Sequence, residues 1–305
     1  MSFLMSKISA IIVNYNASLI LNEAVNLLLN SASVAKVIVV DNGSSDHSMD
    51  EIERLADSRS RLMCIRNNKN LGFAKACNIG IAAAGENDYM LFLNPDCLVD
   101  SNALETLLAC MKSSPQAGMA GPLLLNPDGT EQAGGRRAVP TPWRSFIRAF
   151  GLSGLRERYP RIFSDFLLHQ QPLPERPLEM EAISGSCMLV RCDALLDVGL
   201  MDEGYFLHCE DLDWCMSFRK RGWKIMFVPD ARVFHHKGTC SKTRPIFVEW
   251  HKHKGMMRFY SKFFRYQYPG VLLWIVGFGV WLRFSAMAVS HSLRHLKQWL
   301  KHDCL

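Results

Sequence analysis

Apolar residues along the chain fall into short unbroken runs, separated by stretches with helical spacing. Ile8-Ser-Ala-Ile-Ile-Val13, Lys36-Val-Ile-Val-Val40, Leu62 to Arg66 and Tyr89 to Leu93 read as strands, the first and last of the type buried on both faces. Between them, Leu19 to Asn30, Ser48 to Ser58 and Gly72 to Ala84 predict helices, the last entered through a glycine. A further helix is expected near Val99 to Met111. This alternation over residues 8 to 111 predicts an α/β fold with a largely parallel sheet. Regularity weakens from Pro122 to Pro177, an interval holding eight prolines, Gly134-Gly135 and the basic pair Arg136-Arg137. There the pattern predicts a strand near Gly121 to Leu125, the turn Asn126-Pro-Asp-Gly129, then loops with helical patches. Order resumes with a strand over Ala182 to Arg191, a helix from Leu212 to Arg221 closed by Gly222, and a strand from Trp223 to Val228 stopped by Pro229.

Composition bounds the reading. A chain of 305 residues suits one large domain, or a domain with an appendage. An apolar fraction of 49% with 21% charged residues fits a globular core and excludes disorder. The ten cysteines form no CxxC pair and suit neither a zinc site nor a disulfide framework. They read as reduced core thiols in a reducing compartment. Met1 to Lys7 offers no apolar region for a secretory signal.

The net charge of +6 is unevenly spread: residues 237–305 hold 12 Lys/Arg and 2 Asp/Glu, the rest 23 and 27. A basic tail suits nucleic acid or an anionic membrane surface. The uncharged run Val271 to Leu282, resuming after Arg283 as far as Val289, favours the membrane and sets nucleic acid aside. Uninterrupted, it falls short of the roughly 20 apolar residues of a span. It is expected to lie in the cytoplasmic leaflet, flanked by basic residues and seated by Trp274 and Trp281. A marginal span with Arg283 snorkelling, or an ordinary buried or dimer-forming helix, is the alternative.

Several segments place chemistry-bearing residues at strand ends, where open α/β sheets bind ligands. Tyr89-Met-Leu-Phe-Leu-Asn-Pro-Asp96 presents one carboxylate, an oxygen ligand for Mg2+ or Mn2+ or, equally, a cap for the next helix. Val39-Val-Asp-Asn-Gly-Ser-Ser-Asp46 puts Asp41 where it could accept from a base N–H, with Ser45 or Asp46 as a helix cap. Asn67-Asn-Lys-Asn-Leu-Gly-Phe-Ala-Lys-Ala-Cys-Asn78 opens a helix, whose N-terminus with Lys75 favours phosphate. The chain contains neither GxxxxGK nor GxGxxG, which argues against P-loop NTPases and dinucleotide dehydrogenases. Glu210, Asp211 and Asp213 crowd a helix start beyond what capping needs, so one could serve as general base. The adjacent His235 and His236 suit a metal or diphosphate contact, or a plain surface turn.

Taken in order, VDNGSSD, NxNLGFAxxxNxG, LNPD, SGSCMLVR, GYFLHCEDLDW and HHKGTCS resemble the family 2 glycosyltransferases, most closely the rhamnosyltransferase-like branch. The resemblance spans about Lys7 to Arg244. It implies a GT-A fold, a nucleotide-diphosphate-sugar donor, a divalent metal (Mg2+ or Mn2+) and an inverting displacement. Residues 1–120 would be the nucleotide-binding half, 121–245 the acceptor and catalytic half, and 246–305 a membrane-associating helical tail. Carried over by position, Asp41 would bond the pyrimidine, beside Asn14 and Tyr15. Asn70, Gly72, Phe73 and Lys75 would line the nucleotide or diphosphate pocket. Asp96 matches the last acid of the metal-binding DxD, with Asn94 in place of the first. Asp211 matches the base, Glu210 its fallback, and His235 the metal or diphosphate contact. Gly185 and Ser186 would shape the acceptor side. Cys240 stands where the HxxGxS pattern usually has serine.

The expected function is sugar transfer from a dTDP- or UDP-sugar to a glycan or polyprenyl-diphosphate-linked acceptor in cell-envelope polysaccharide synthesis. The expected place is the cytoplasmic membrane face. A nucleotidyltransferase is the second enzyme reading, but the glycine-rich basic loop it needs is missing at Asn14-Tyr15-Asn16-Ala17. A membrane-tethered binding protein without turnover is the third.

Overall fold

The computed structural model describes residues 7–149, 151–159, 162–236 and 244–302, so Cys240 lies outside the described residues. The first half alternates as the apolar pattern requires: β1 (Ile8–Asn14), α1 (Ile20–Asn30), β2 (Val34–Asp41), α2 (Ser48–Ser58), β3 (Leu62–Arg66), α3 (Phe73–Ala84) and β4 (Tyr89–Leu93). β1 and β4 are buried at every position, because crossover helices cover both faces of a parallel sheet. β3, β2, β1 and β4 lie side by side in that order, all parallel.

The second half continues with β5 (Cys97–Val99), α4 (Ala103–Ser113), β6 (Ala117–Leu125), β7 (Arg136–Arg137), α5 (Pro142–Ala149), a 3-10 turn (Leu152–Glu157), β8 (Leu178–Met180), β9 (Ala182–Ile183), β10 (Cys187–Arg191), α6 (Cys192–Val198), α7 (Glu210–Lys220), β11 (Lys224–His235), α8 (Pro245–Phe264) and α9 (Gly270–His302). The main sheet runs β3-β2-β1-β4-β10-β6-β11-β5, with β8 also on β11. β10 is antiparallel to both its neighbours, so the parallel sheet becomes mixed beyond β4. β7 and β9 form a separate two-stranded sheet.

Three departures from the sequence reading matter for the site. Residues 97–99 form β5 rather than opening a helix, and α4 starts only at Ala103. Asp96 therefore caps no helix. β11 does not stop at Pro229; its register on β6 slips between Val228 and Arg232, and the strand resumes to His235. Pro229 has no N–H to donate, and the irregularity absorbs it. The expected strand over Ala182 to Arg191 is broken at Ser184-Gly185-Ser186, where the chain passes from the small sheet to the large one.

The chain divides into two compact units. One comprises Met1–Val139, Phe166–Phe206 and Glu210–Cys240; the other comprises Pro140–Asp165, Leu207–Cys209 and Ser241–Leu305. The first carries both sheets. In its core Trp214 of α7 meets Phe92 of β4 edge-on at 5.2 Å and Phe218 at 5.3 Å. That stack fixes the start of α7 against the central strand. In the second unit, Gly270–Leu293 of α9 is long and apolar enough to cross a membrane, by length and composition.

Gly80 lets α3 lie directly on β1, since a Cβ there would stand 2.5 Å from Ile11 Cγ2. Ile11 is fully enclosed and has nowhere to move. Gly80→Val is expected to lower unfolding stability by about 1–3 kcal/mol through overpacking, read as a shifted denaturant midpoint.

Candidate active site

The ends of β1 and β2 are stitched into one polar cradle. Asn14, fully buried, directs its amide nitrogen at Asp41 Oδ1 (3.0 Å), Ser48 Oγ (2.8 Å) and Ser44 Oγ (3.1 Å). The Ser44 N–H donates to Asp41 Oδ2 at 3.2 Å. Asp41 is thus a buried carboxylate held by neutral donors. Tyr15 follows Asn14, half-buried at the same strand end. Asp46 is structural, accepting from the N–H groups of Ser18 and Ser48.

Asn42, which the sequence reading passed over, organises the neighbouring loop. Its carbonyl accepts from the Leu71 N–H and the Asn67 amide, and its amide donates to Asn70 Oδ1 and the Gly72 carbonyl. Gly72 has φ +90°, and a Cβ there would sit 2.8 Å from the Phe206 carbonyl oxygen. That oxygen accepts the Phe73 N–H at 2.8 Å. Glycine is needed here for both the angle and the approach. Lys75 is half-exposed and pairs with Glu203 at 3.4 Å. Asn78 bonds the Met201 backbone in both directions, fixing α3 to the 199–206 loop.

At the β4 end, Asn94 donates its N–H to the Ser186 carbonyl at 2.8 Å and its amide to Ser186 Oγ at 3.3 Å. Asp96, two residues on, is buried and faces His235 Nε2 at 3.2 Å. The continuation of β11 past Pro229 delivers that histidine, which sits opposite Cys97 of β5. His235 Nδ1 lies 2.6 Å from Gln132 Oε1. The Gln132 amide nitrogen is occupied with Asn126 Oδ1 and the His235 carbonyl, so Oε1 is the acceptor and Nδ1 carries the hydrogen. Nε2 is left to face Asp96.

Asp96, Cys97 and His235 bring one ligand atom each within 4.8 Å of one another. Burial, then the charge of Asp96, pushes the Cys97 thiol well above its usual range, so it stays protonated and is a poor ligand. One carboxylate oxygen and one imidazole nitrogen remain. That pair suits Mn2+, and with less margin Mg2+, when substrate phosphates and water complete the shell.

The start of α7 carries the acids. Two consecutive left-handed residues, His208 (φ 67°) and Cys209 (φ 70°), lead into Glu210. Asp211 Oδ2 accepts from the Arg137 guanidinium at 2.5 Å and from the Gly185 N–H at 3.0 Å. Oδ1 accepts the Leu212 N–H at 2.7 Å. Burial alone would raise its pKa; the Arg137 charge and these donors outweigh that and hold it below the usual carboxylate range. Glu210 goes the other way. Burial, then the Asp211 charge, pushes it up to about 8, and its buried Oε2 has no hydrogen-bond partner among the described residues. Near neutrality Asp211 is ionised and Glu210 is not.

Gly185 and Ser186 link the two ends, since one break in a strand bonds Asp211 through one residue and Asn94 through the next. A Cβ on Gly185 would meet Asp211 Cβ at 3.0 Å. Arg137 and Gln132 were also missed at first. Arg137 stood in a visible basic pair, but nothing local tied it to residue 211.

Comparisons with known proteins bear on the family and the fold. The profile of Glycosyl transferase family 2 matches residues 9–199. The N-acetylglucosaminyl-diphospho-decaprenol L-rhamnosyltransferase of Mycobacterium tuberculosis is 30% identical over 284 residues, which is 90% of this chain and 89% of that protein. Rhamnosyltransferase WbbL of Escherichia coli is 27% identical over 231 residues, 66% of this chain and 82% of that one. Among solved structures, the mannosyltransferase PcManGT of Pyrobaculum calidifontis, in complex with GDP-Man and Mn2+, shares the fold with a TM-score of 0.58 at 14% identity, covering 96% of this chain and 76% of that one.

The raised Glu210 gives a pH signature. An unfolded chain releases this proton near 4.5, the folded one only near 8. Between those values the folded state holds more protons, so its stability falls as pH rises. Glu210→Gln is expected to flatten that slope and to be more stable than the parent at pH 8, measured by denaturant unfolding across the window.

Proposed function

Since the chain belongs to glycosyl transferase family 2, we propose that it transfers L-rhamnose from dTDP-rhamnose to a hydroxyl of a polyprenyl-diphosphate-linked glycan, inverting the anomeric centre, at the cytoplasmic face of a membrane. The observation that carries the reading is the Ser184-Gly185-Ser186 break. It is bonded to Asn94 on the proposed donor side and to Asp211 on the proposed acceptor side.

The β1–β2 cradle and the Asn42-organised loop would hold the nucleotide, with Asp41 bonding the thymine. Asp96 and His235 would hold Mn2+ or Mg2+, which when bound neutralises charge on the departing diphosphate. Asp211 accepts the acceptor hydroxyl proton while that oxygen bonds to the anomeric carbon. The bond from that carbon to the diphosphate oxygen breaks, and its electrons leave with the nucleotide. One displacement inverts the centre, and no enzyme nucleophile takes part. Arg137 and the Gly185 N–H keep Asp211 ionised and aimed. Neutral Glu210 beside it avoids a second negative charge. The relative that acts on a decaprenol-linked N-acetylglucosamine supports the acceptor class, and α9 supports the location.

The test uses the full-length enzyme, dTDP-rhamnose and N-acetylglucosaminyl-diphosphoryl-polyprenol in detergent, with the product followed by mass spectrometry. Asp211→Asn should lose about 10²–10⁴-fold in kcat while keeping thermal stabilisation by dTDP. EDTA should abolish transfer, and Mn2+ should restore it. Full turnover by Asp211→Asn, or stabilisation by UDP-sugars alone, would overturn the base or the donor respectively. Arg137→Met should move the acidic limb of the kcat/KM profile to higher pH, because burial would then dominate at Asp211.

A further inference from the structure

The charge of the chain divides along its two units. The unit made of Pro140–Asp165, Leu207–Cys209 and Ser241–Leu305 holds sixteen Lys/Arg against four Asp/Glu; the remainder holds nineteen against twenty-five. The sequence placed the basic excess in the tail. The fold adds a piece from mid-chain, residues 140–165, with five arginines and two acids.

That segment shares the apolar character of α9. Trp143, Phe146, Leu155, Tyr159 and Ile162 are all exposed. Trp143 and Phe146 stack at 5.4 Å between centroids, and Arg158 lies over the Tyr159 ring at 5.6 Å. The segment is fixed to the tail helices: the Tyr260 hydroxyl of α8 donates to Ser145 Oγ at 2.6 Å, and α5 packs on α9. α9 is one-sided. Trp281 packs on Trp250 at 5.0 Å, and Met257 of α8 closes over Gly277. Its other side leaves Val271, Trp274, Ile275, Phe278 and Leu282 bare, with Trp274 82% and Phe278 71% exposed.

We propose that Pro140–Asp165 is a second lipid-contacting element, so that the protein docks on an anionic bilayer through α5 and the 3-10 turn as well as through α9. The occupant follows from charge and surface together. Nucleic acid would meet the arginines but would leave the bare apolar side of α9, with Val271, Ile275 and Leu282 on it, in water. A second copy would press two strongly positive units together. The headgroup–acyl boundary of an anionic leaflet takes apolar side chains and offers phosphates to the arginines. The inference extends the membrane-surface reading above and holds whichever sugar is transferred.

Hydrogen exchange on the full-length protein tests it, with phosphatidylcholine vesicles and with 7:3 phosphatidylcholine–phosphatidylglycerol vesicles (about 0.1 M salt). The mixed vesicles are expected to slow exchange in peptides from 140–165 as well as in α9. Arg156→Gln with Arg158→Gln should lower partition into them about 10–30-fold, at about fivefold per charge. That pair should leave transfer to a short-chain, water-soluble acceptor unchanged. Leu155→Gln with Ile162→Gln, judged folded by an unchanged melt, should weaken partition without changing its salt dependence. Protection confined to α9, unchanged partition of both double variants, or a dimer that protects 140–165 without lipid would overturn the proposal. Absence of transfer by the parent enzyme would instead sink the glycosyl-transfer assignment and leave the vesicle result standing.

Discussion

Two adjacent carboxyls buried at one helix start do not both carry charge near neutrality, and the site is built around deciding which one does. Asp211 receives three donors, one of them a guanidinium, while Glu210 keeps an oxygen with no partner among the described residues. The outcome depends on a two-stranded sheet of minimal size. β7 exists as Arg136 and Arg137 paired with Ile183 and Ala182, and this pairing carries the guanidinium to the acid. The backbone then leaves β9, turns at Gly185 to give its N–H to the same carboxylate, and enters the large sheet as β10. Trp214, one turn beyond Asp211, pins the helix to Phe92 of β4. Ionisation, aim and position of one side chain thus depend on elements from four parts of the sequence.

The other pole uses the same economy. A strand that ended at its proline would never reach Asp96. The register slip after Val228 lets β11 run on and place His235 opposite Cys97. Gln132, locked by Asn126 and by the His235 carbonyl, sets the hydrogen on Nδ1 and leaves Nε2 toward the carboxylate. An imidazole oriented this way by an outer partner is the usual arrangement around a metal-binding histidine.

What was legible in the chain follows from how local the cause is. β3, β4 and α2 begin and end where the apolar pattern put them, because burial on both faces, or on one helical stripe, is written into consecutive residues. The acids at 96, 210 and 211 were legible as candidates through their position at strand or helix ends. The rest rests on partners far away in sequence. β5 is a strand only because β11 lies beside it. The break at residues 184–186 exists because two sheets compete for one segment. Arg137, Gln132 and Asn42 look like ordinary loop residues until the residues they bond, some 74, 103 and 28 positions off, are in place. Residues 140–165 read as loops with helical patches, without bounds for α5, since the helices this segment packs against come a hundred positions later.

Charge supports a need for a divalent ion independently of any ligand set. The sheet-bearing unit is net acidic, yet the proposed donor is an anion that would settle at its strand ends. Two of the basic side chains closest to the motifs are already engaged: Arg137 by Asp211 and Lys75 by Glu203. Releasing Arg137 to the diphosphate would leave a buried Asp211 to take up a proton and lose the use as a base proposed for it. In the proposed reaction the positive charge for the leaving group would instead come from outside the chain, from an ion held by Asp96 and His235. The net positive charge of the other unit would then have a consequence for the proposed acceptor. Under the proposed docking an anionic leaflet would be drawn to the +12 unit and not to the acidic one, so charge alone would select the unit that faces a lipid-linked acceptor.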